Sequence, residues 1–460
     1  MINKYISGKY DPFIINDVWI GDESECLIPT SYNRTSVIEV AVKAVYRMIK
    51  LALTTLIYAS WNYKFAKFDK FSDDYDDKIL FFLPTLNNQR SLAKVIDVVL
   101  KSRDNVSILK KEFTPEAFPM LLVSLFGLLY IPSFIKEYKH LDFVHRRRAS
   151  YFLPFLLHSP GTTWFFIRLI EKHRPQGVIL ANDHLFYTRT LELVCEDFGV
   201  ATVYVQHASV SYGFPPLRFG CSFLDGLDSV EKYVYHDKPT IGHLFSLGAA
   251  RYDELHQYRI NRIKKRRNII GIGVNILDSN EKVNFFCNYL LTYFPSVKVK
   301  VRAHPGLKET PFSFDNKERV IYTNASDEQM KDFLDSIDLL ISSDSGIHFD
   351  ALVGGVPSMC YNFGDREFTD TYEYVKNGLI PYAKDKEIAC QMIEEGKVSI
   401  NSAKVAHYDA SFGKSYSGHC SNIIADYILH DFNFEYMQNK YNLEERHYEG
   451  HSYYEIGKSR

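Results

Sequence analysis

Apolar runs and amphipathic stretches alternate along most of this chain, with the rhythm of a βαβ fold. After Lys78, the run Ile79-Leu80-Phe81-Phe82-Leu83 has no polar position on either face, which predicts a strand buried on both sides. A polar turn at Asn87-Asn88-Gln89-Arg90-Ser91 leads into an amphipathic helix to about Leu100, and Val106 to Leu109 predicts a second strand. Gly177 to Ala181 and Ala201 to Val205 repeat the buried-strand pattern around a helix from Tyr187 to Phe198 that Gly199 closes. Val230 to Tyr235 is expected to be another strand.

The pattern pauses at Gly213-Phe214-Pro215-Pro216 and in a basic connector, Ile260 to Arg267, and then restarts. Strands are predicted at 268–274, 297–302, 320–322, 338–342 and 357–361, with helices at 282–293, 328–336 and 348–353. The expected fold is therefore α/β, with two Rossmann-like domains facing a central cleft where the carboxyl ends of both sets of strands meet. The boundaries read as a helical extension over 1–76, an N-terminal acceptor domain over 77–262, a C-terminal nucleotide-sugar domain over 263–430 and a Tyr-rich tail over 431–460. With 460 residues, two domains are also what chain length favours.

Composition removes several classes. A net charge of −2 gives no field that would gather nucleic acid, and the seven cysteines are scattered without a C-x-x-C pair, which speaks against a zinc cluster and for reduced thiols. The N-terminus lacks the pattern of a secretory signal, so a cytoplasmic location is expected. Two apolar stretches, Ala44 to Ser60 and Pro119 to Phe134, fall short of the roughly 20 residues of a spanning helix and are expected to be buried or interfacial.

Two constellations at predicted strand ends carry chemistry in the second half. In Ser342-Ser343-Asp344-Ser345-Gly346-Ile347-His348, a strand ends in hydroxyl residues and a glycine before a helix starts, so backbone N–H groups and hydroxyls converge where an anion could sit; a capped helix start reads equally well. In Arg302-Ala303-His304-Pro305-Gly306, Arg302 offers a bidentate cation and His304 a donor, with Pro305 holding the backbone extended. In the first half, Asn182-Asp183-His184 and Gln206-His207 end two neighbouring strands and suit acceptor binding or acid/base work, or a helix cap. Asp225 and Asp228 in Leu224-Asp225-Gly226-Leu227-Asp228 are the remaining carboxylates, in what is also an ordinary turn pattern.

The Arg302-Ala303-His304-Pro305 and Ser342-Ser343 segments resemble the His-Pro and paired-serine motifs of bacterial capsule and lipopolysaccharide glycosyltransferases of GT-B type. These use CMP-activated acidic sugars and include polysialyltransferases and retaining β-Kdo transferases. The resemblance implies that His304 and Ser342 or Ser343 hold the CMP phosphate, with Arg302, Pro305, Ser345, Gly346 and His348 around it. Gly248-Ala249-Ala250-Arg251-Tyr252-Asp253 looks like the Gly-x-x-Arg-x-Asp segment of the wider clan, which includes glycerophosphate transferases. Leu224-Asp225-Gly226 resembles the acidic-acidic-Gly motif with its first acid replaced. The role implied for Asp225 is attack on the anomeric carbon or activation of the acceptor hydroxyl, with Asp183 and His207 as further catalytic candidates.

The function expected is transfer of Kdo or sialic acid from a CMP-sugar to a lipid-linked or oligosaccharide acceptor, without a metal or other cofactor, by a protein that also associates peripherally with the inner face of the membrane. The alternatives are a CDP-glycerol-type glycerophosphotransferase, a UDP-sugar transferase or epimerase, and a noncatalytic glycan- or nucleotide-binding module.

Overall fold

Alternate residues of the first strand enter opposite cores: Leu80 and Phe82 pack on one face of the sheet, Ile79, Phe81 and Leu83 on the other. This is how a run with no polar position is satisfied. The structure is a computed structural model and describes residues 2–21, 37–61, 75–110, 120–235, 240–261, 268–307, 313–365 and 367–457. Its strands are β1 (Ile79–Leu83), β2 (Val106–Lys110), β3 (Gly177–Leu180), β4 (Ala201–Val205), β5 (Cys221–Leu224), β6 (His243–Ser246), β7 (Ile269–Val274), β8 (Lys298–Ala303), β9 (Val320–Asn324), β10 (Leu339–Ser342), β11 (Ser358–Tyr361), β12 (Tyr382–Ala383), β13 (Leu443–Tyr448) and β14 (His451–Ile456).

They form two sheets, ordered β13-β14-β6-β5-β4-β3-β1-β2 and β12-β11-β10-β7-β8-β9. All neighbours are parallel except the β13–β14 hairpin. Helices cover both faces of each sheet, and the two Rossmann-like domains face one cleft, as expected.

Three expectations are corrected. Residues 230–235 belong to the helix Leu227–Val234, because Val230, Tyr233 and Val234 recur at helical spacing on a buried face and Asp228 pairs with Lys232 one turn on, at 2.8 Å. The apolar stretch from 119 continues past Phe134 into the helix Met120–His140, and its Leu121–His140 portion is long and apolar enough to cross a membrane by length and composition, with 28% of its most apolar window buried. One side of this helix lies very close to the helix Leu153–His173. A Cβ on Gly127 would sit 2.4 Å from Leu157 O, and one on Gly161 2.4 Å from Val123 Cα.

The third correction concerns the C-terminal boundary. The chain returns to the first domain well before residue 430: Ala410 N–H donates to Asp225 O at 2.8 Å, and the helix Cys420–Leu429 buries Ile423, Ile424, Tyr427 and Ile428 in the core shared by β1 and the helix Leu86–Ser102. The Tyr-rich tail then supplies β13 and β14, which extend the first sheet beyond β6. The basic run 264–267, expected as a linker, lies outside the described residues.

The Gly248-to-Asp253 segment is the latch at these crossings. Gly248 has φ +113, and a Cβ there would meet Ser411 Cβ at 2.5 Å, so only glycine fits. Asp253 accepts from the first two N–H groups of the returning helix, Cys420 N at 2.9 Å and Ser421 N at 2.8 Å.

Candidate functional site

Two adjoining hollows open where the strand ends of the two sheets face each other. The hollow on the second domain is lined by Arg302, His304 and Pro305 from the end of β8, by Ser342 from β10, and by Ser345 and Gly346 from the turn that follows. The hollow on the first domain is lined by Arg90, His207, Ser209 and Arg251. Asn87, Gly346, Asp350 and Tyr372 line both, so the two are continuous.

On the second-domain side, the residues that face the hollow are fewer than the motif suggests. The Ser342 hydroxyl donates to Gly273 O at 2.8 Å, tying β10 to β7, and Ser343 Oγ accepts from Phe363 N–H at 2.9 Å in a buried position. The buried His348 donates from Nε2 to Ser343 O at 2.8 Å and accepts from Ser358 Oγ at 2.7 Å. Burial pushes its imidazole down to about 4, so it is neutral. These three residues, expected as donor ligands, instead build the floor: their hydrogens go to the protein.

Ser345, Gly346, Arg302, His304 and Pro305 remain at the surface of the hollow. A Cβ at Gly346 would meet nothing, so the space over this turn is open. His304 Nδ1 accepts from Gly306 N–H at 3.0 Å, which fixes the ring and leaves Nε2 without a partner among the described residues. Arg302 donates to Glu328 O at 3.0 Å while its Nε, buried, has no partner. Burial lowers the Arg302 guanidinium from its usual range, Asp350 and Glu328 oppose this, and Arg90 across the cleft adds to the lowering.

On the first-domain side both carboxylate oxygens of Asp225 are engaged by Arg251. Arg251 Nη1 donates to its Oδ1 at 2.9 Å and Nη2 to its Oδ2, so the buried Asp225 is paired with the part-buried Arg251. Burial raises the Asp225 carboxyl to about 6 against the pull of Arg251. Its role is to hold Arg251 in the wall of the cleft.

Asp183 and His184, at the end of β3, form a coupled pair. His184 Nδ1–H donates to Asp183 Oδ1 at 2.8 Å, and the Tyr233 hydroxyl donates to Asp183 Oδ2 at 2.7 Å. Burial alone would raise the Asp183 carboxyl; the hydrogen bonds from His184 and Tyr233 and the nearby His207 hold it below the usual range. Asp183 does not cap the following helix; Asn182 ties the turn before it, its Oδ1 accepting from Leu185 N–H at 2.7 Å. The His207 ring lies 6.0 Å from that of His184, has an enclosed Nδ1 with no partner, and is pushed by burial down to about 4.

The residues that sequence reasoning missed are Arg90, Asn87, Asp350 and Tyr372, with Arg251 named only as part of a motif. Asn87 and Arg90 stood in a predicted turn, yet Thr85 caps a helix at this point, accepting from Asn88 N–H at 3.2 Å, and presents both side chains to the cleft. Asp350 stands one helical turn after Gly346, on the same face, and that spacing was visible in the sequence. Among the described residues, no group of three His, Cys, Asp or Glu side chains is arranged to hold a metal ion.

No family model matches the chain, and no curated protein does. Solved structures are similar in fold. A UDP-GlcNAc 2-epimerase from Neisseria meningitidis bound to UDP-GlcNAc matches with a TM-score of 0.46 at 14% identity, covering 77% of this chain and 100% of that one. A ugt transferase from Siraitia grosvenorii in complex with UDP has a TM-score of 0.42 at 10% identity, covering 77% and 100%. The glycotransferase of kitacinnamycin has 0.46 at 10% identity, covering 77% and 99%. At these identities and scores the likenesses decide neither activity nor donor.

Proposed function

We propose that this chain is a glycosyltransferase that takes a nucleotide-activated sugar in the second-domain hollow and an acceptor in the first. The observation that carries the reading is the convergence of cations on two continuous hollows, Arg302 and His304 lining the one on the second domain and Arg90 and Arg251 the one on the first. Two cations brought together around an open hollow are stabilised by an anion between them, and a nucleotide-sugar phosphate is such an anion. His304, with Nε2 available, stands where it can donate to the same phosphate as it departs, and Ser345 and the open turn at Gly346 complete the seat.

The donor favoured is a CMP-activated acidic sugar. Arg90 is exposed and has no carboxylate partner among the described residues, so it is placed to take the sugar's own carboxylate, whereas Arg251 is already neutralised by Asp225. Acid/base work falls to His184, backed by Asp183: Asn182 Nδ2 lies 3.3 Å from His184 Nε2 and keeps that nitrogen an acceptor. His207 lines the acceptor side as a neutral group.

Thermal unfolding with CMP, CDP, UMP, UDP, GDP and ADP tests the reading. A nucleotide at 100 times its dissociation constant stabilises the fold by about 2.7 kcal/mol. The expected result is selective stabilisation by CMP that is lost in Arg302→Ala. Preference for UDP, with donor turnover in the absence of acceptor, would instead establish the epimerase alternative. Indifference to every nucleotide would overturn the proposal.

A further inference from the structure

The helix Val37–Trp61 is apolar on two opposite sides, and only one of them is used inside the protein. Ala44 and Leu51 are buried, in a core with Ile20, Tyr130, Phe134 and Leu153. On the other side Val42, Val45, Tyr46, Ile49, Leu53 and Leu56 are each more than half exposed, from 53% to 66%. Their spacing of three and four residues confines them to an arc of about 100° on the helix and a length of about 21 Å. An ordered apolar stripe of this extent on a water-facing helix is costly unless something covers it.

Charge identifies the cover. Lys50 and Lys43, the latter paired with Glu39 at 2.6 Å, are exposed beside the stripe on one edge. The stripe's helix and two of the helices in contact with it, Met120–His140 and Phe143–Tyr151, together expose five Lys and Arg residues, Lys43, Lys50, Lys136, Lys139 and Arg146, against two Glu. Those neighbours also expose Leu125, Leu129, Phe143 and Val144. Apolar side chains bordered by cations match the surface of an anionic bilayer, where a helix lies in the interface with its apolar face among the acyl chains and its lysines at the phosphates.

The layer is joined to the cleft. Ile20, in the core beneath the stripe, shares the short helix Asp17–Ile20 with Trp19, whose Nε1–H donates to His184 O at 3.0 Å and whose ring packs 5.7 Å from that of His184. A bilayer seated on the stripe is thus tied by direct packing to the acceptor wall of the cleft. We infer that the outer face of the helix Val37–Trp61 docks the protein on an anionic lipid surface, so that a lipid-borne acceptor reaches the first-domain hollow from the membrane plane.

Vesicle co-sedimentation of the full chain tests the docking without donor or acceptor, so its outcome is independent of the nucleotide reading. Wild type is expected to pellet with phosphatidylcholine/phosphatidylglycerol vesicles and to release in high salt. The double substitution Leu53→Glu/Leu56→Glu should reduce binding by about tenfold or more while leaving the melting temperature unchanged. In Leu56→Trp, the indole emission should shift to shorter wavelength on adding the same vesicles, a readout that does not depend on how the charged variant folds. Wild type left in the supernatant overturns the inference, as it would if the chain's own residues covered the stripe. Equal pelleting of the Glu pair also overturns it. So does a wild-type dimer that the Glu pair converts to monomer with no vesicle binding in either, since a second copy would then be the occupant.

Discussion

Arg251 and Asp225 meet end-on in the cleft wall, Nη1 to Oδ1 at 2.9 Å with the second nitrogen on the second oxygen, and neither is open to a ligand on that edge. The strand-end position that suggested a reactive carboxylate is the same position a buried counter-ion needs. Replacing Asp225 with Asn leaves the part-buried Arg251 without its carboxylate, and loss of such a charge-assisted pair costs about 1–3 kcal/mol. Urea unfolding is expected to show that loss. A variant that unfolds like wild type but has lost all transfer activity would return Asp225 to the catalytic role.

The buried His348 makes the second domain acid-sensitive. Its imidazole is held near 4 in the folded chain against 6.5 for an unperturbed group. The folded state therefore binds fewer protons than the unfolded one between these values, and stability falls as pH drops from 6.5 towards 4, while above 6.5 the contribution is complete. One such group gives a slope of at most about 1.4 kcal/mol per pH unit. In His348→Gln, denaturation midpoints measured across this window should lose that slope; an unchanged slope would show that the histidine is not the origin.

His304 is expected to act on the departing phosphate. In His304→Ala, kcat at saturating donor should fall by about a hundredfold or more, the lower end of the range for a lost acid/base or oxyanion partner. An unaltered kcat with a raised KM would mean that His304 contributes to binding alone.

In the proposed seat the charges of Arg302 and Arg90, with His304 as donor, would balance a phosphate without a divalent ion. Transfer rates should accordingly be the same in excess EDTA as in magnesium. Loss of activity in the chelator, restored by a divalent cation, would refute metal independence.

Asp253 holds the returning helix by two charge-assisted hydrogen bonds at its first turn, Cys420 N at 2.9 Å and Ser421 N at 2.8 Å. Asp253→Ala leaves both donors unpaired in a buried place and should cost about 1–3 kcal/mol in chemical denaturation, without altering nucleotide affinity.

Much of the fold is legible in the sequence because parallel strands buried on both faces have no polar positions: Ile79–Leu83 and Ile269–Val274 stand out for that reason. Cys221–Leu224 and His243–Ser246 do not, since four residues are too few to display a period. Val230 to Tyr235 misleads because three apolar residues within five satisfy a strand and a helix alike. For the site, the motif located the correct turn but not which hydroxyls face outward. Whether Ser342 donates to a phosphate or to Gly273 O depends on the neighbouring strand, and Arg90 becomes a cleft residue only when a helix from the first domain is set against the second.

The chain passes between the halves twice, once around residues 247–252, where Leu247 packs in the first-domain core and Tyr252 in the second, and again around 412–420, with Asp253 fastened to the second passage. A single tether would let the halves swivel in any direction. Two passages fastened to each other through Asp253 resist torsion, like the paired leaves of a door hinge, and so hold the walls that carry Arg90 and Arg302 in one register. A protease nick in the basic run at 264–267 would accordingly leave one particle, its halves still joined by the second passage.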